Sequence, residues 1–218
     1  MIVPGKEKMR HFLTTDLYGL TDEPHALGRS NPETAALLID AGVKIIQYRE
    51  KDRTLREQVE ECREIRRMTR QTDVTFIVND HVDLALAVAA DGVHVGQDDL
   101  PPAMIRQLAG DRMIIGLSTH SPQQAVAAER SGMVDYIGVG PLFSTQTKRN
   151  VCAPVGLEYL DYVAGNIELP FVAIGGIKAE HMAVVHQHGA QLIAVVTGIV
   201  GGADIPAAVA KLRRAMKS

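Results

Sequence analysis

Tryptophan is absent from this chain of 218 residues, and aromatic residues make up only 4% of it. A hydrophobic core must therefore come from Val, Ile, Leu, Ala and Met. Cysteine is almost absent too. Cys62 and Cys152 stand far apart and form no CxxC pair, which argues for a reduced, cytoplasmic setting. No run of about 18 apolar residues exists, so no membrane span is expected. The opening MIVPGKEKMRHF lacks the long apolar stretch of a signal peptide. Neither charge sign dominates: the formal net charge is −3. That provides no global attraction to nucleic acid or to an anionic membrane. An anionic small molecule would have to be caught by local cations and backbone amides. No glycine-rich dinucleotide fingerprint follows the first β-type run, which weakens a doubly wound sheet. Low-complexity linkers and charge runs are missing as well. One domain over residues 1–218 is expected, with 1–15 as an N-terminal extension and the folded body from about residue 16.

What is present is an alternation of short β-type runs and helical segments, the pattern of a parallel sheet. The expected strands are Asp16–Asp22, Lys44–Glu50, Thr75–Asp80, Gly92–Gly96, Met113–Thr119, Tyr136–Phe143, Phe171–Ile177 and Leu192–Ile199. Helices are expected over Pro32–Ala41, Thr54–Met68, Pro122–Ser131 and Pro206–Met216, with Asn31 and Ser121 as N-caps ahead of a first-turn proline. Eight such units in one chain imply an α/β fold, a single (β/α)8 TIM barrel. Its chemistry is then expected at the C-terminal ends of the strands.

Those ends carry groups that apolar packing does not explain. In the second strand, KIIQYREK, alternation places Gln47, Arg49 and Lys51 on one face and Ile46 and Tyr48 on the other. Arg49 can grip phosphate oxygens with two parallel bonds, and Lys51 adds a point charge. A solvated strand end with a salt bridge to Glu50 is the plainer alternative. The third strand ends in Asn79-Asp80 and the fourth unit in Asp98-Asp99. Each Asp could cap the following helix. The cap is the plainer reading of each Asp alone; the other is that Mg²⁺ is usually held by one or two carboxylates plus substrate phosphates. After the sixth strand, Thr145, Thr147 and Lys148 form either a polar loop or a phosphate contact. The seventh strand ends at Gly175-Gly176 and the eighth at Val196-Thr197. Glycines there permit a tight turn, and also close approach of backbone N–H groups to an anion at the frequent phosphate site of this fold.

Together these motifs resemble the thiamine-phosphate synthase (thiamine-phosphate pyrophosphorylase) family. The matching pieces are QYREK at 47–51, ND at 79–80, HVGQDD at 94–99, GLSTH around Ser118, GVGPLFSTQTK at 138–148, AIGGI at 173–177 and VT at 196–197. They occur in family order and run from Leu17 to about Ile199. The resemblance implies a Mg²⁺-dependent transferase of thiamine biosynthesis. Such an enzyme condenses 4-amino-2-methyl-5-hydroxymethylpyrimidine diphosphate with 4-methyl-5-(2-phosphoethyl)thiazole, or its carboxylated form. Gln47, Tyr48, Arg49, Glu50, Lys51, Asn79, Ser118 and Lys148 would bind the pyrimidine diphosphate. Arg49, Lys51 and Lys148 would act catalytically on its leaving group, and Asp80 and Asp99 would hold Mg²⁺. Thr145, Gln146, Thr147, Gly176, Val196 and Thr197 would bind the thiazole phosphate. Two departures are mild: the family often has GQED where this chain has 96–99, and TKKD where it has 147–150.

The implied chemistry accounts for these groups. Diphosphate leaves a methylene carbon only if its growing charge is stabilised, and a thiazole nitrogen already has a lone pair and needs no general base. His94 is then expected as a barrel-lining structural residue. A thiazole tautomerase would not need the diphosphate and Mg²⁺ group, and a non-catalytic regulator binding thiamine intermediates would be expected to lose those charges. Small-molecule substrates are the expected partners, with no nucleic acid and no membrane. A homo-oligomer is compatible with the sequence.

Overall fold

The computed structural model describes residues 6–145 and 152–217. Eight short strands run in parallel: β1 (Leu17–Leu20), β2 (Ile45–Tyr48), β3 (Thr75–Asn79), β4 (Gly92–Val95), β5 (Ile114–Thr119), β6 (Tyr136–Val139), β7 (Phe171–Ile174) and β8 (Ile193–Val195). They close in sequence order, and β8 returns to β1 with Tyr18 opposite Ala194. This is the expected (β/α)8 barrel. Around it lie α1 (Arg10–Thr14), α2 (Asn31–Asp40), α3 (Leu55–Gln71), α4 (Val82–Ala87), α5 (Pro102–Ala109), α6 (Pro122–Ser131), α7 (Gly156–Asn166), α8 (Met182–Gln187), α9 (Thr197–Val200) and α10 (Ile205–Met216).

Several strands stop earlier than their β-type runs suggest. β6 ends at Val139, two residues before Pro141, which has no N–H to give to a ladder. β8 ends at Val195 because the chain winds at once into the short helix α9. One cap also moves. Ser30, not Asn31, accepts the Glu33 N–H, and the Glu33 carboxylate reaches back to the Ser30 N–H. This reciprocal box satisfies two otherwise orphaned donors. It also releases the Asn31 amide, which donates to Glu50 at 2.9 Å and Glu61 at 3.0 Å. Ser121 caps α6 through the Gln124 N–H as expected.

Side chains alternate across each strand, so a closed sheet sorts them between the axis and the helical shell. Tyr18, Leu20, Ile45, Ile77, Ile114, Tyr136, Val172, Leu192 and Ala194 fill the axis. Their neighbours Leu17, Ile46, Phe76, Val78, Val93, Ile115, Ile137 and Ile193 pack outward under the helices. The axis has one further occupant. Phe12 of α1 sits 4.3 Å from the Tyr136 ring and 6.2 Å from the Tyr18 ring, centre to centre. The helix that carries it is anchored at the N-terminal end of the barrel, where His11 Nδ1 meets Thr75 Oγ1 at 2.7 Å. Lys8 adds bonds to the Val74 carbonyl and to Asp91. Asp91 also receives both terminal nitrogens of Arg66 and the Phe76 N–H, so the plug is tied to β3, β4 and α3 together. With this end closed, the opposite end is the one left to receive a ligand.

Phe12 is 4% exposed and the adjacent Leu13 72%. Phe12→Ala should lower unfolding stability by about 3–5 kcal/mol, whereas Leu13→Ala should change it by less than about 0.5 kcal/mol. Urea denaturation of the two variants checks both values.

Candidate active site

The end of β2 divides as alternation requires. Gln47 points inward, is buried, and donates from Nε2 to the Tyr18 hydroxyl at 2.8 Å. Arg49 follows on the same face. Its N–H donates to Thr21 Oγ1 at 3.1 Å, which fastens the end of β2 to the end of β1. Its guanidinium is buried, with one terminal nitrogen 3.5 Å from Asp22 Oδ1 and its Nε without a partner. A buried guanidinium with one long bond and an unused N–H has capacity left for an anion. Lys51 is half exposed, and its ammonium pairs with the Asp80 carboxylate. A pair this exposed contributes only about 0–1 kcal/mol, so a phosphate oxygen or a cation can separate it cheaply.

The opposite face behaves differently. Tyr48 is turned to the helical shell and donates to Glu61 Oε2 on α3 at 2.6 Å. Glu50 forms no salt bridge with Lys51. Its carboxylate instead accepts the Lys51 N–H at 2.7 Å, the Asp52 N–H at 2.8 Å and the Asn31 amide. Burial pushes the Glu50 carboxyl up, but the bonds from Asp52, Asn31 and Lys51 outweigh it and hold the group below its ordinary range. The resemblance had placed Tyr48 and Glu50 among the diphosphate ligands. In this structure their side chains bond to α2, α3 and the turn at 51–52.

Two carboxylates stand at adjacent strand ends. Asp80 takes a left-handed backbone (φ 61°), a conformation tolerated by Asp better than by most residues. It gives its N–H to the His94 carbonyl at 2.8 Å. Asp99 Oδ2 accepts the Gly96 N–H at 2.7 Å. Neither caps a helix: α4 begins after His81 and α5 after Pro101, both without a side-chain cap. The plainer reading of these acids is therefore removed. Among the described residues no group of three or more His, Cys, Asp or Glu could hold a metal ion. Two hard carboxylate donors without a full protein cage suit a cation completed by substrate phosphates.

Asn79 is the inward, buried residue before Asp80. Ser118 ends the inward row of β5, with its Oγ 2.9 Å from His94 Nε2. His94 thus lines the barrel, as expected. Across the mouth, Gly175 and Gly176 are both left-handed (φ 101° and 65°). A Cβ on Gly176 would lie 2.5 Å from the Ser144 carbonyl oxygen and 2.8 Å from the Phe143 Cβ. The tight turn is thus a requirement of the chain's own packing, which seats Ser144 against the end of β7. Val196 precedes α9, and Thr197 opens it. The first N–H groups of a helix have no intrahelical acceptor. Thr145 is the last described residue before the segment holding Gln146, Thr147 and Lys148, which lie outside the described residues.

Sequence reasoning had passed over three residues of this region. Asp22 is a buried carboxylate against Arg49, with His25 Nδ1 2.9 Å away. Tyr18 and Tyr136 meet on the axis, their hydroxyls 3.0 Å apart. Alternation could have turned both tyrosines inward; nothing in the sequence could have paired them.

A closed β/α barrel with an under-bonded arginine, a displaceable lysine and two carboxylates facing glycine turns is built as an enzyme for phosphorylated substrates. Comparison with known proteins narrows that class. The sequence profile described as thiamine monophosphate synthase matches residues 17–199. A thiamine-phosphate synthase of Pelotomaculum thermopropionicum is 64% identical over 201 residues, 92% of each chain. One of Lawsonia intracellularis is 49% identical over 215 residues, 99% of this chain and 96% of the other. Among solved structures, the thiamine phosphate pyrophosphorylase of Pyrococcus furiosus superposes with a TM-score of 0.85 at 34% identity, covering 96% of this chain and 98% of the other. The chain belongs to the thiamine monophosphate synthase family.

Glu50 yields a pH-dependent expectation. Its folded pKa lies below the ordinary 4.5, so its stabilisation is complete above that value and is lost as pH falls through the folded pKa. Glu50→Gln should therefore be less stable than the wild type by about 1–3 kcal/mol at neutral pH. The difference should shrink below pH 4.5. Urea titrations of both proteins between pH 3 and 7, on the order of one pH unit apart, read this directly.

Proposed function

We propose that the barrel mouth joins an aminopyrimidine diphosphate to a thiazole phosphate, releasing diphosphate. The activity follows from the family: it is thiamine-phosphate synthesis, a group transfer. The observation that carries the assignment to these residues is the buried Arg49 with its unused Nε, next to the exposed Lys51–Asp80 pair. A diphosphate entering there gains the Arg49 guanidinium and draws Lys51 off Asp80. That frees a carboxylate for a cation at the moment an anion arrives.

In this reading Gln47, Arg49, Lys51, Asn79 and Ser118 hold the pyrimidine diphosphate over β2 to β5, and Lys148 reaches it from the 146–151 segment. Asp80 and Asp99 would hold the Mg²⁺. Bound Mg²⁺ supplies neutralisation of the leaving diphosphate. The C–O bond to diphosphate breaks and its electron pair stays on the leaving oxygen, where Arg49, Lys51 and Lys148 offset the charge. The ring amino group of the pyrimidine delocalises the positive charge left on the methylene carbon. The thiazole nitrogen then forms the new C–N bond with its own lone pair, so no proton has to be removed. Thr145, Gln146, Thr147, Gly176, Val196 and Thr197 hold the thiazole phosphate on the opposite side, presenting backbone N–H groups to it. The two halves of the mouth thus hold two phosphorylated rings face to face. No helix among the described residues is long and apolar enough to cross a membrane.

Product formation from the two purified substrates with Mg²⁺ tests the reading. Asp80→Asn, which tolerates the left-handed backbone, and Asp99→Ala should each lose roughly a hundredfold in turnover or more, with unfolding midpoints near that of the wild type. Wild-type-like turnover of either variant at limiting Mg²⁺ would remove the metal assignment. Lys148→Ala should slow single turnover at saturating substrates by about 3 kcal/mol in barrier height; an unchanged rate would remove its role at the leaving group. A wild-type chain that forms no product would sink the synthase reading as a whole.

A further inference from the structure

Five polar side chains cross the barrel axis in one unbroken row. Gln47 Nε2 is 2.8 Å from Tyr18 Oη, and Tyr18 Oη is 3.0 Å from Tyr136 Oη. Tyr136 Oη is 2.9 Å from His94 Nδ1, and His94 Nε2 is 2.9 Å from Ser118 Oγ. The row begins on β2, passes through β1, β6 and β4, and ends on β5 at the mouth. Its rings are seated by missing side chains. A Cβ on Gly116 would lie 2.3 Å from Tyr136 Cζ and 2.4 Å from His94 Nδ1, and one on Gly138 would lie 3.2 Å from His94 Cε1. The two glycines leave the space the rings occupy, so the geometry of the row is built into β5 and β6.

The direction of the protons along this row follows from counting donors. Gln47 gives an N–H to Tyr18, whose hydroxyl therefore has a lone pair occupied and one proton to place. The Tyr136 oxygen accepts it. Tyr136 in turn has one proton, and His94 Nδ1 accepts that. An imidazole that accepts at Nδ1 carries its proton at Nε2 when neutral, and Nε2–H then donates to Ser118 Oγ. Burial keeps both phenols protonated, pushing Tyr18 and Tyr136 well above their ordinary range. Ser118 is left with its own proton free to point into the mouth. In this direction both phenol protons and the imidazole proton find an acceptor in the row. In the reverse direction the Tyr136 proton would go to Tyr18, which already accepts Gln47, and the Tyr18 proton would have no acceptor in the row.

We infer that Tyr18, Tyr136 and His94 are positioning residues that hold the Ser118 hydroxyl as a hydrogen-bond donor to a phosphate oxygen of the pyrimidine diphosphate. The inference rests on the reaction proposed above. Negative charge grows on those oxygens as the C–O bond breaks, so a donor fixed in advance acts more on the transition state than on binding. Ser118 would otherwise be free to turn its proton to His94 and present a lone pair to an anion. The row forbids that by filling His94 Nε2 with a proton.

The test has two arms. Nitrogen NMR of the substrate-free wild type labelled at histidine, with His94→Gln to assign the signal, should show neutral His94 protonated at Nε2. Tyr136→Phe should turn this into a mixture of tautomers. In single-turnover synthesis, Tyr136→Phe should lose roughly tenfold in rate, the size of one neutral hydrogen bond, with pyrimidine-diphosphate affinity held within about twofold. Placed on Ser118→Ala, the same change should cost nothing more, because the residue it acts through is gone. A wild-type His94 protonated at Nδ1 would overturn the inference, and so would losses that multiply in the double variant. The spectrum is read on the wild type without substrate, and the only variant it needs is the one that assigns the signal. It still decides the proton direction if Tyr136→Phe folds poorly, whereas a wild type that makes no product overturns the reaction and the Ser118 donor role together.

Discussion

Closure of β8 onto β1 is the constraint on which everything else here depends. The pairs Leu17–Ile193, Tyr18–Ala194 and Gly19–Val195 leave no strand without two neighbours. A closed parallel sheet has no edge and only two kinds of side-chain position, axis and shell. With scarce aromatics, the chain spends three of its few rings, Phe12, Tyr18 and Tyr136, on the axis. The two tyrosines each bring a hydroxyl that must find a partner once buried. Gln47 and His94 supply those partners. The polar row is thus both the filling of the barrel and the floor of the mouth.

The electrostatics of the mouth follow a graded pattern. Arg49 is held deep by Thr21 and Asp22 and keeps an unused N–H. Lys51 is held at the surface by Asp80 alone among the ion pairs described for it. The deep cation cannot move far, and its burial makes an approaching anion welcome. The outer one can exchange partners at little cost. Glu50 lies between them in sequence yet serves the scaffold, fixing the backbone of residues 51 and 52 through two N–H bonds. The turn that aims Lys51 toward Asp80 is therefore stabilised by the residue immediately before it. One face of this strand end turns its side chains to the mouth, and the other commits them to the scaffold.

The glycine turns on the far side show how packing and ligand recognition can share a cause. Gly176 has no room for a Cβ because Phe143 and Ser144 press against it. That contact brings Phe143 and Ser144 to the end of β7. Phe143 is in turn stacked on His181, with ring centres 4.0 Å apart and planes 17° from parallel. The approach of two backbones is what leaves N–H groups unshielded by side chains, a condition that anion binding also needs.

The order of β-type runs, the inward row Gln47, Arg49 and Lys51, the acids Asp80 and Asp99, and the glycine pairs could all be read along the chain, and so could the family they resemble. These features are local: strand alternation, turn chemistry and motif spacing span a few residues each. Partnership was not legible in the same way. Tyr48 and Glu50 belong to the matching motif, yet they turn to Glu61 and Asn31, on helices the motif does not contain. The cap moved from Asn31 to Ser30 because Glu33 could reach back, and that freed Asn31 for Glu50. Tyr18 and Tyr136 are 118 residues apart, and Phe12 comes from a segment that reads as an extension ahead of the barrel. A closed barrel brings every strand to a common axis. Which side chains meet there is decided by register and by the space that Gly116 and Gly138 leave, and both exist only once the sheet has closed.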